Sequence, residues 1–177
     1  MNLINNDVLC NKEILSKNDI QLNRRNFLRS LISSYEFDLA NLRDITIRLI
    51  IMKFDETGYW DILQLIPLLD YFPAINETGK LKEGFPNRYT LLSLVSYSVK
   101  SLSTIINYPK NPFADCRWND FRKTIQIRNR ISHPKIGSDI DISDNELVSI
   151  EKGWQWWNEL IKDLIIAKNE FYNSPLE

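Results

Sequence analysis

Residues 22–54 read LNRRNFLRSLISSYEFDLANLRDITIRLIIMKF, a stretch with neither proline nor glycine. Large apolar residues recur within it every seven positions, at Leu28, Tyr35, Leu42 and Leu49. This spacing is typical of a helix that packs along one side. We therefore predict one long helix over residues 22–54, and we expect Gly58 to mark its end because glycine leaves a helix without a steric penalty.

Apolar periodicity predicts four more helices after the long one, over residues 59–71, 88–107, 115–133 and 143–172. Pro67 is expected to kink the first of these helices. Residues 72–87 contain two prolines and two glycines and are interpreted as a loop. The sequence thus predicts an all-α fold, a helical bundle of about five helices with long first and last helices.

The last helix carries a start signal and an unusually wide apolar surface. Ser143 and Glu146 have the spacing of a capping box, in which each side chain accepts a hydrogen bond from the other's backbone N–H. Four apolar residues lie beyond its main stripe, namely Val148, Trp156, Leu160 and Ile165. A surface this wide favours a second packing partner and predicts a homodimer. The tryptophans at 154, 156 and 157 are interpreted as core and dimer contacts rather than a base-stacking platform.

Length and composition limit the kinds of protein this chain can be. Its 177 residues are 44% hydrophobic, which predicts one domain over residues 22–177 after a loosely ordered lead-in over 1–21. Two cysteines and one histidine make a metal site unexpected, and no Gly-rich phosphate loop occurs, so we expect no metal and no cofactor. Neither a secretion signal nor a membrane span is recognisable, which predicts a cytoplasmic protein with no membrane contact.

The predicted fourth helix changes character near its end. Its core-facing stripe begins with Trp118, Phe121 and Ile125. The next positions on that side are polar: Arg128, Asn129 and Ser132, with His133 at the edge. Buried arginine and asparagine side chains need partners, so this end of the helix is predicted to open into a binding site. Because a proline pushes the residue before it out of the α region, Pro134 is expected to end the helix at His133.

These residues resemble the motif of the HEPN superfamily (higher eukaryotes and prokaryotes nucleotide-binding). Its ribonuclease members carry an arginine, usually a polar neighbour, and a histidine after four to six residues at a helix end in a small all-α domain. Here Arg128 is followed by Asn129, three more residues and His133. The architectural resemblance covers about residues 23–172. Lys135 stands where family toxins controlled by nucleotidylation commonly carry tyrosine, so that control is not expected.

The resemblance implies a metal-independent endoribonuclease, a prokaryotic toxin or antiviral-defence effector acting as a homodimer, with a cognate antitoxin or defence-system partner. Arg128, Asn129 and His133 would be catalytic. Histidine suits proton transfer near neutral pH, and arginine suits charge developing on a phosphate. The basic residues expected to hold RNA are Arg122, Lys123, Arg130 and Lys135, a local surplus in a chain of net charge −1.

Two questions stay open from the sequence. Arg128 and His133 diverge by roughly 140° on an ideal helix, so either the break before Pro134 or a second subunit must bring them together. Each residue also has a structural interpretation: His133 at the helix dipole, Arg128 paired with Glu36 or Asp38, and Asn129 bonded to backbone. The alternative functions are a non-catalytic HEPN-like module that binds RNA or nucleotide, and a structural assembly module.

Overall fold

The structure is a computed structural model that describes residues 3–57, 65–69, 71–75, 81–86 and 89–173. These residues contain five α-helices: α1 (Leu3–Lys17), α2 (Gln21–Thr57), α3 (Leu91–Ile105), α4 (Arg117–Ser132) and α5 (Asp144–Asn173). The predicted all-α bundle of about five helices is confirmed. None of the helices in the described ranges has the length and apolar character that crossing a bilayer requires.

The N-terminal region differs from the sequence prediction. Residues 1–21 are predicted to be a loosely ordered lead-in, whereas the structure has α1 at Leu3–Lys17. Val8 and Leu15 of this helix are buried, and Lys12 forms an ion pair with Glu151 of α5 at 3.3 Å. The lead-in prediction is therefore corrected: two apolar residues seven positions apart were too few to reveal a helix among so many asparagines and lysines.

The long helix agrees with its prediction. Helix α2 spans Gln21–Thr57, and the four residues of the seven-residue repeat are all buried: Leu28, Tyr35, Leu42 and Leu49. Gly58, the expected end signal, lies just outside the described residues. Helix α3 is three residues shorter at its start than predicted, because the Thr90 hydroxyl caps it by accepting a hydrogen bond from the Ser93 N–H at 3.1 Å.

A β-hairpin replaces part of the region predicted as helix and loop. Strand β1 (Tyr71–Ile75) pairs antiparallel with β2 (Leu81–Pro86). Within residues 59–71, the part that the structure describes does not contain the predicted helix. A short 3-10 helix occupies Ile66–Leu68, and Tyr71 begins β1. Residues 59–64 lie outside the described ranges. The pairing is irregular between Phe72 and Ala74, where Pro73 has no N–H to donate.

The chain forms two compact units. Unit 1 combines residues 1–38 with 109–177, and unit 2 comprises residues 39–108. Within unit 2, α3 contacts the 3-10 helix, and the guanidinium of Arg43 donates to the Leu68 carbonyl oxygen, from Nε at 2.9 Å. The prediction of a single domain over 22–177 stays a prediction.

An aromatic cluster forms the centre of unit 1. Phe121 of α4 stacks on Trp157 of α5 with ring centroids 5.3 Å apart, and Tyr35 of α2 lies 4.9 Å from Phe121. Trp156 packs against Trp118 and Phe121 at 5.1 Å from each. The core interpretation of the tryptophans is thereby confirmed for Trp156 and Trp157, which are both buried.

The segment between α4 and α5 is tied to the start of α2. The side-chain amide of Gln21 donates to the Ile142 carbonyl at 3.0 Å and accepts from the Ile142 N–H at 2.8 Å. Arg24 donates to the same carbonyl and pairs with Asp144. The predicted capping box is confirmed, since the Ser143 N–H donates to the Glu146 carboxylate at 2.9 Å. The start of α5 is thus held against α2.

Candidate nucleic-acid interface

Helix α4 ends at the position the sequence predicts. Its last residue is Ser132, and His133 has left the α region with φ −133° and ψ 61°. The His133 N–H still donates to the Asn129 carbonyl at 3.1 Å, which closes the last turn. The residue before a proline is pushed out of the helical region by the proline ring. Pro134 therefore accounts for the break, and His133 lies just beyond the helix.

The polar residues at this helix end do not interrupt a buried surface. Asn129, Ser132 and His133 are exposed, and the Arg128 side chain is 41% exposed. The prediction that the core-facing side of α4 continues through these positions is therefore wrong for Asn129 and Ser132, which are exposed. The core contacts of α4 end at Ile127, which is buried, and the following turn reaches solvent. Arg128 can meet a ligand without a large cost of desolvation.

Arg128 has two weak partners. Its Nη2 lies 3.7 Å from Glu36 Oε1 of α2, and its Nη1 donates to Asn129 Oδ1 at 3.1 Å. Of the two acids considered from the sequence, the structure thus pairs Arg128 with Glu36, while Asp38 accepts a hydrogen bond from the indole of Trp157 at 2.9 Å. An exposed pair at 3.7 Å contributes little to stability. Arg128 therefore remains available to a stronger anion.

Arg128 lines an open groove between α2 and α4, with a volume of about 400 Å³. We call it the arginine groove; it is lined by Arg25, Leu28, Arg29, Ile32, Ser33, Glu36, Arg128, Ile131 and Ser132. Three guanidinium groups thus border one groove, with Glu36 as the carboxylate among them. His133 is not among the lining residues.

The two α2 arginines differ in how firmly they are held. Arg25 lies 3.9 Å from a carboxylate oxygen of Asp141, which is the limit of an ion pair. Arg29 is exposed and has no ion pair or hydrogen bond with any residue that the structure describes. An arginine presents five donors in a planar fork that matches phosphate oxygens. The arginine groove is therefore chemically suited to bind a phosphate group.

The four residues predicted to hold RNA do not form one free surface. Arg122 is exposed, whereas Lys123 donates to the Ser149 hydroxyl at 3.1 Å. Arg130 pairs with Glu146 at 2.9 Å and donates to the Asp139 carbonyl at 2.9 Å. Lys135 is exposed, and its backbone N–H donates to the Asp139 carboxylate, a bond that lowers the pKa of Asp139. The contacts of Arg130 indicate a structural role.

Arg130→Ala is therefore expected to destabilise the protein by about 1 kcal/mol, because Glu146 and the Asp139 carbonyl both lose a charged donor. Urea denaturation followed by circular dichroism measures this loss. Arg122→Ala is the matched control, since Arg122 is exposed on the same helix and should change stability by less than about 0.5 kcal/mol. Equal midpoints for the two variants would contradict the structural role of Arg130.

The homodimer prediction rests on the four apolar residues beyond the main stripe of α5, and two of these four are buried inside unit 1. Of the four residues beyond the main stripe of α5, Trp156 and Leu160 are buried within the chain, where Trp156 packs on Trp118 and Phe121. Val148 and Ile165 remain exposed at 48% and 46%. The homodimer stays a prediction.

Two residues of the groove were missed by sequence reasoning. Arg25 and Arg29 are four positions apart and therefore lie on the same side of α2, and the next positions on that side, Ser33 and Glu36, also line the groove. This helical spacing was visible in the sequence. What the sequence did not reveal was that this side of α2 lies beside the end of α4.

No protein-family model, no curated protein and no solved structure matches this chain. The chemistry of the site itself therefore has to indicate what it can do. The groove combines three arginines with two hydroxyl groups, from Ser33 and Ser132, while His133 lies one residue past the end of α4 and does not line the groove. The arginines can neutralise a phosphate, and imidazole is the side chain most often used for general acid–base chemistry.

Proposed function

We propose that this protein is a metal-independent endoribonuclease of the HEPN type, in which Arg128, Asn129 and His133 are the catalytic residues. The observation that carries the proposal is the position of Arg128, which lines a groove with Arg25 and Arg29 one turn before the end of α4. A phosphodiester bound there would lie close to the helix end that bears His133. The biological setting proposed with it is a prokaryotic toxin or antiviral-defence effector with a protein partner or antitoxin.

The proposed reaction uses the ribose 2′-hydroxyl as nucleophile. Its oxygen forms a bond to the adjacent phosphorus while the bond from phosphorus to the 5′-oxygen breaks. One proton leaves the 2′-hydroxyl and one reaches the leaving 5′-oxygen, and His133 serves this proton transfer. Arg128 stabilises the charge on the phosphate oxygens. The products are a 2′,3′-cyclic phosphate and a 5′-hydroxyl.

The two catalytic side chains need not come from one chain. His133 does not line the arginine groove of its own chain, and it is exposed at the end of α4. A homodimer that brings together two α4 ends would place the His133 of one subunit beside the Arg128 of the other. The proposal therefore includes a composite site and a homodimer.

The test is RNA cleavage by the full chain in EDTA, compared with His133→Ala and Arg128→Ala. Cleavage is expected to continue in EDTA and to fall by about 10²-fold or more in each variant. The RNA ends should be cyclic phosphate and 5′-hydroxyl. Arg48→Ala, which removes an exposed arginine of α2 paired with Asp44, is the control and should cleave normally. Equal cleavage by wild type and both site variants would refute the proposal.

A second candidate function is RNA or nucleotide binding without cleavage. The observation in its favour is that the arginine groove contains Arg128 but not His133. A binding module predicts tight RNA binding without turnover, weakened by Arg128→Ala and unaffected by His133→Ala. Cleavage that depends on His133 would exclude this candidate.

A further inference from the structure

A second groove adjoins the arginine groove on α2. It has a volume of about 320 Å³, and we call it the asparagine groove; it is lined by Asp7, Asn11, Asn26, Arg29, Ser30 and Ser33. Arg29 and Ser33 line both grooves. The two grooves therefore adjoin at these side chains; one reaches the end of α4 and the other reaches α1.

Arg29 is the group best placed to bind an anion where the grooves meet. It is exposed and without an ion pair or hydrogen bond among the described residues, whereas Arg25 and Arg128 each have a carboxylate within 4.0 Å. A ligand that passes from one groove to the other must pass Arg29 and the hydroxyl of Ser33. Both side chains can donate hydrogen bonds to phosphate oxygens.

The asparagine groove differs from its neighbour in chemistry. In place of three arginines it has two amides, a carboxylate and two hydroxyls besides Arg29. The Asn11 side chain is held by donating from Nδ2 to the Asp7 carbonyl at 3.0 Å. Amide side chains present donors and acceptors that match the edges of nucleobases, and a carboxylate accepts hydrogen bonds from an exocyclic amino group. This groove is thus suited to a base rather than a phosphate.

We infer that the two grooves form one path for single-stranded RNA, with Arg29 binding the phosphate that links a nucleotide in one groove to its neighbour in the other. Each volume lies within the range of about 300–1,000 Å³ that small-ligand sites occupy. The bases of a duplex are paired along their edges, so only an unpaired strand can offer them to the asparagine groove. The inference rests on the proposed function for its choice of RNA.

The path also predicts a preference among bases. The Asp7 carboxylate accepts hydrogen bonds. The N3–H of uracil lies between two carbonyl oxygens that a carboxylate repels, and uracil has no exocyclic amino group to donate to Asp7. Cytosine and adenine do carry such a group. The asparagine groove is therefore expected to favour cytosine and adenine over uracil, and Asp7 is the residue that makes the distinction.

Binding of short fluorescently labelled oligo-C, oligo-A and oligo-U to the full chain tests this path, with His133→Ala present in every protein to prevent turnover. Arg29→Ala is expected to weaken binding of all three about tenfold at moderate salt, and to reduce the salt dependence by about one phosphate contact. Arg48→Ala loses the same charge from the same helix and should bind as the parent does. Asp7→Asn should raise the affinity for oligo-U relative to oligo-C several-fold.

Three results would overturn the inference: equal affinities of the Arg29→Ala and Arg48→Ala proteins, duplex RNA bound as tightly as single strands, or an Asp7→Asn effect that is the same for all three oligonucleotides. Its failure can be told apart from that of the proposed function. Cleavage that requires His133 but is unaffected by Arg29→Ala would refute the path alone. Arg29-dependent binding of single strands by a protein that never cleaves RNA would refute the ribonuclease alone.

Discussion

Gly153→Ala is expected to destabilise the protein by about 3 kcal/mol, the cost of overpacking a filled interface. In an unobstructed helix the same change adds about 1 kcal/mol of stability, because alanine is the better helix former. At position 153 the change is instead expected to lower stability, because Gly153 faces the backbone of α4. A Cβ at Gly153 would lie 2.8 Å from Phe121 Cα, 2.9 Å from Phe121 N and 3.0 Å from Thr124 Oγ1.

At these distances the added Cβ cannot be accommodated by a small side-chain movement. The atoms nearest to the added carbon belong to the main chain of α4, so the two helices must move apart rather than one side chain rotate. Phe121 also stacks on Trp157 and is fully buried. Separating α4 from α5 therefore loosens the aromatic cluster that forms the centre of unit 1.

Urea denaturation followed by tryptophan fluorescence measures the loss. Gly137→Ala is the matched control, because it makes the same chemical change where no atom beyond the two adjacent residues lies within 4 Å of the added carbon. Gly137→Ala should change the free energy of unfolding by less than about 0.5 kcal/mol. If Gly153→Ala proves as stable as the wild type, α4 and α5 do not approach as closely as the structure has them.

Trp157→Phe is expected to destabilise the protein by about 3 kcal/mol near neutral pH. The indole is fully buried, and its Nε1 donates to Asp38 Oδ2 at 2.9 Å. Phenylalanine is smaller and has no donor, so the variant loses packing and leaves a partly buried carboxylate without this hydrogen bond. A lost hydrogen bond to a charged group costs about 1.5–3 kcal/mol.

The loss of stability caused by Trp157→Phe should depend on pH. Burial raises the pKa of Asp38 above 3.8, and the hydrogen bond from Trp157 lowers it again in part. Since the folded state holds this proton more tightly than the unfolded state, stability falls as the pH rises through the pKa of folded Asp38. Removing the indole raises that pKa further. Trp157→Phe should therefore cost most at neutral pH and less at acid pH, where Asp38 is protonated.

Asp38→Asn separates charge from packing in this prediction. Asparagine keeps an oxygen that can accept from the indole but carries no charge to bury, so Asp38→Asn should remove most of the extra pH dependence. In that background Trp157→Phe should cost less than it does in the wild type. The role of this hydrogen bond would be contradicted if Trp157→Phe lowered the free energy of unfolding by the same amount at acid and neutral pH. The decrease would also have to be the same in the wild type and in the Asp38→Asn protein.

Helix ends and long helices were predictable because their causes lie close together in the chain. The seven-residue repeat located α2, the Ser143–Glu146 capping box located the start of α5, and Pro134 predicted that His133 leaves the helix. Each signal acts over a few residues through backbone geometry or a local hydrogen bond. The hairpin was missed because prolines and glycines were interpreted as loop signals, whereas paired strands hold Pro73 and Gly84.

The composition of the groove could not be predicted in the same way. The motif Arg128, Asn129 and His133 is visible in the sequence, but its surroundings depend on contacts between residues far apart in the chain. Arg130, for example, forms an ion pair with Glu146 at 2.9 Å, a partner 16 positions away that the motif does not indicate. Arg25 and Arg29 join Arg128 in the arginine groove because α2 packs beside α4. Local spacing thus determined which residues share a helix face, and packing between distant segments determined which faces meet.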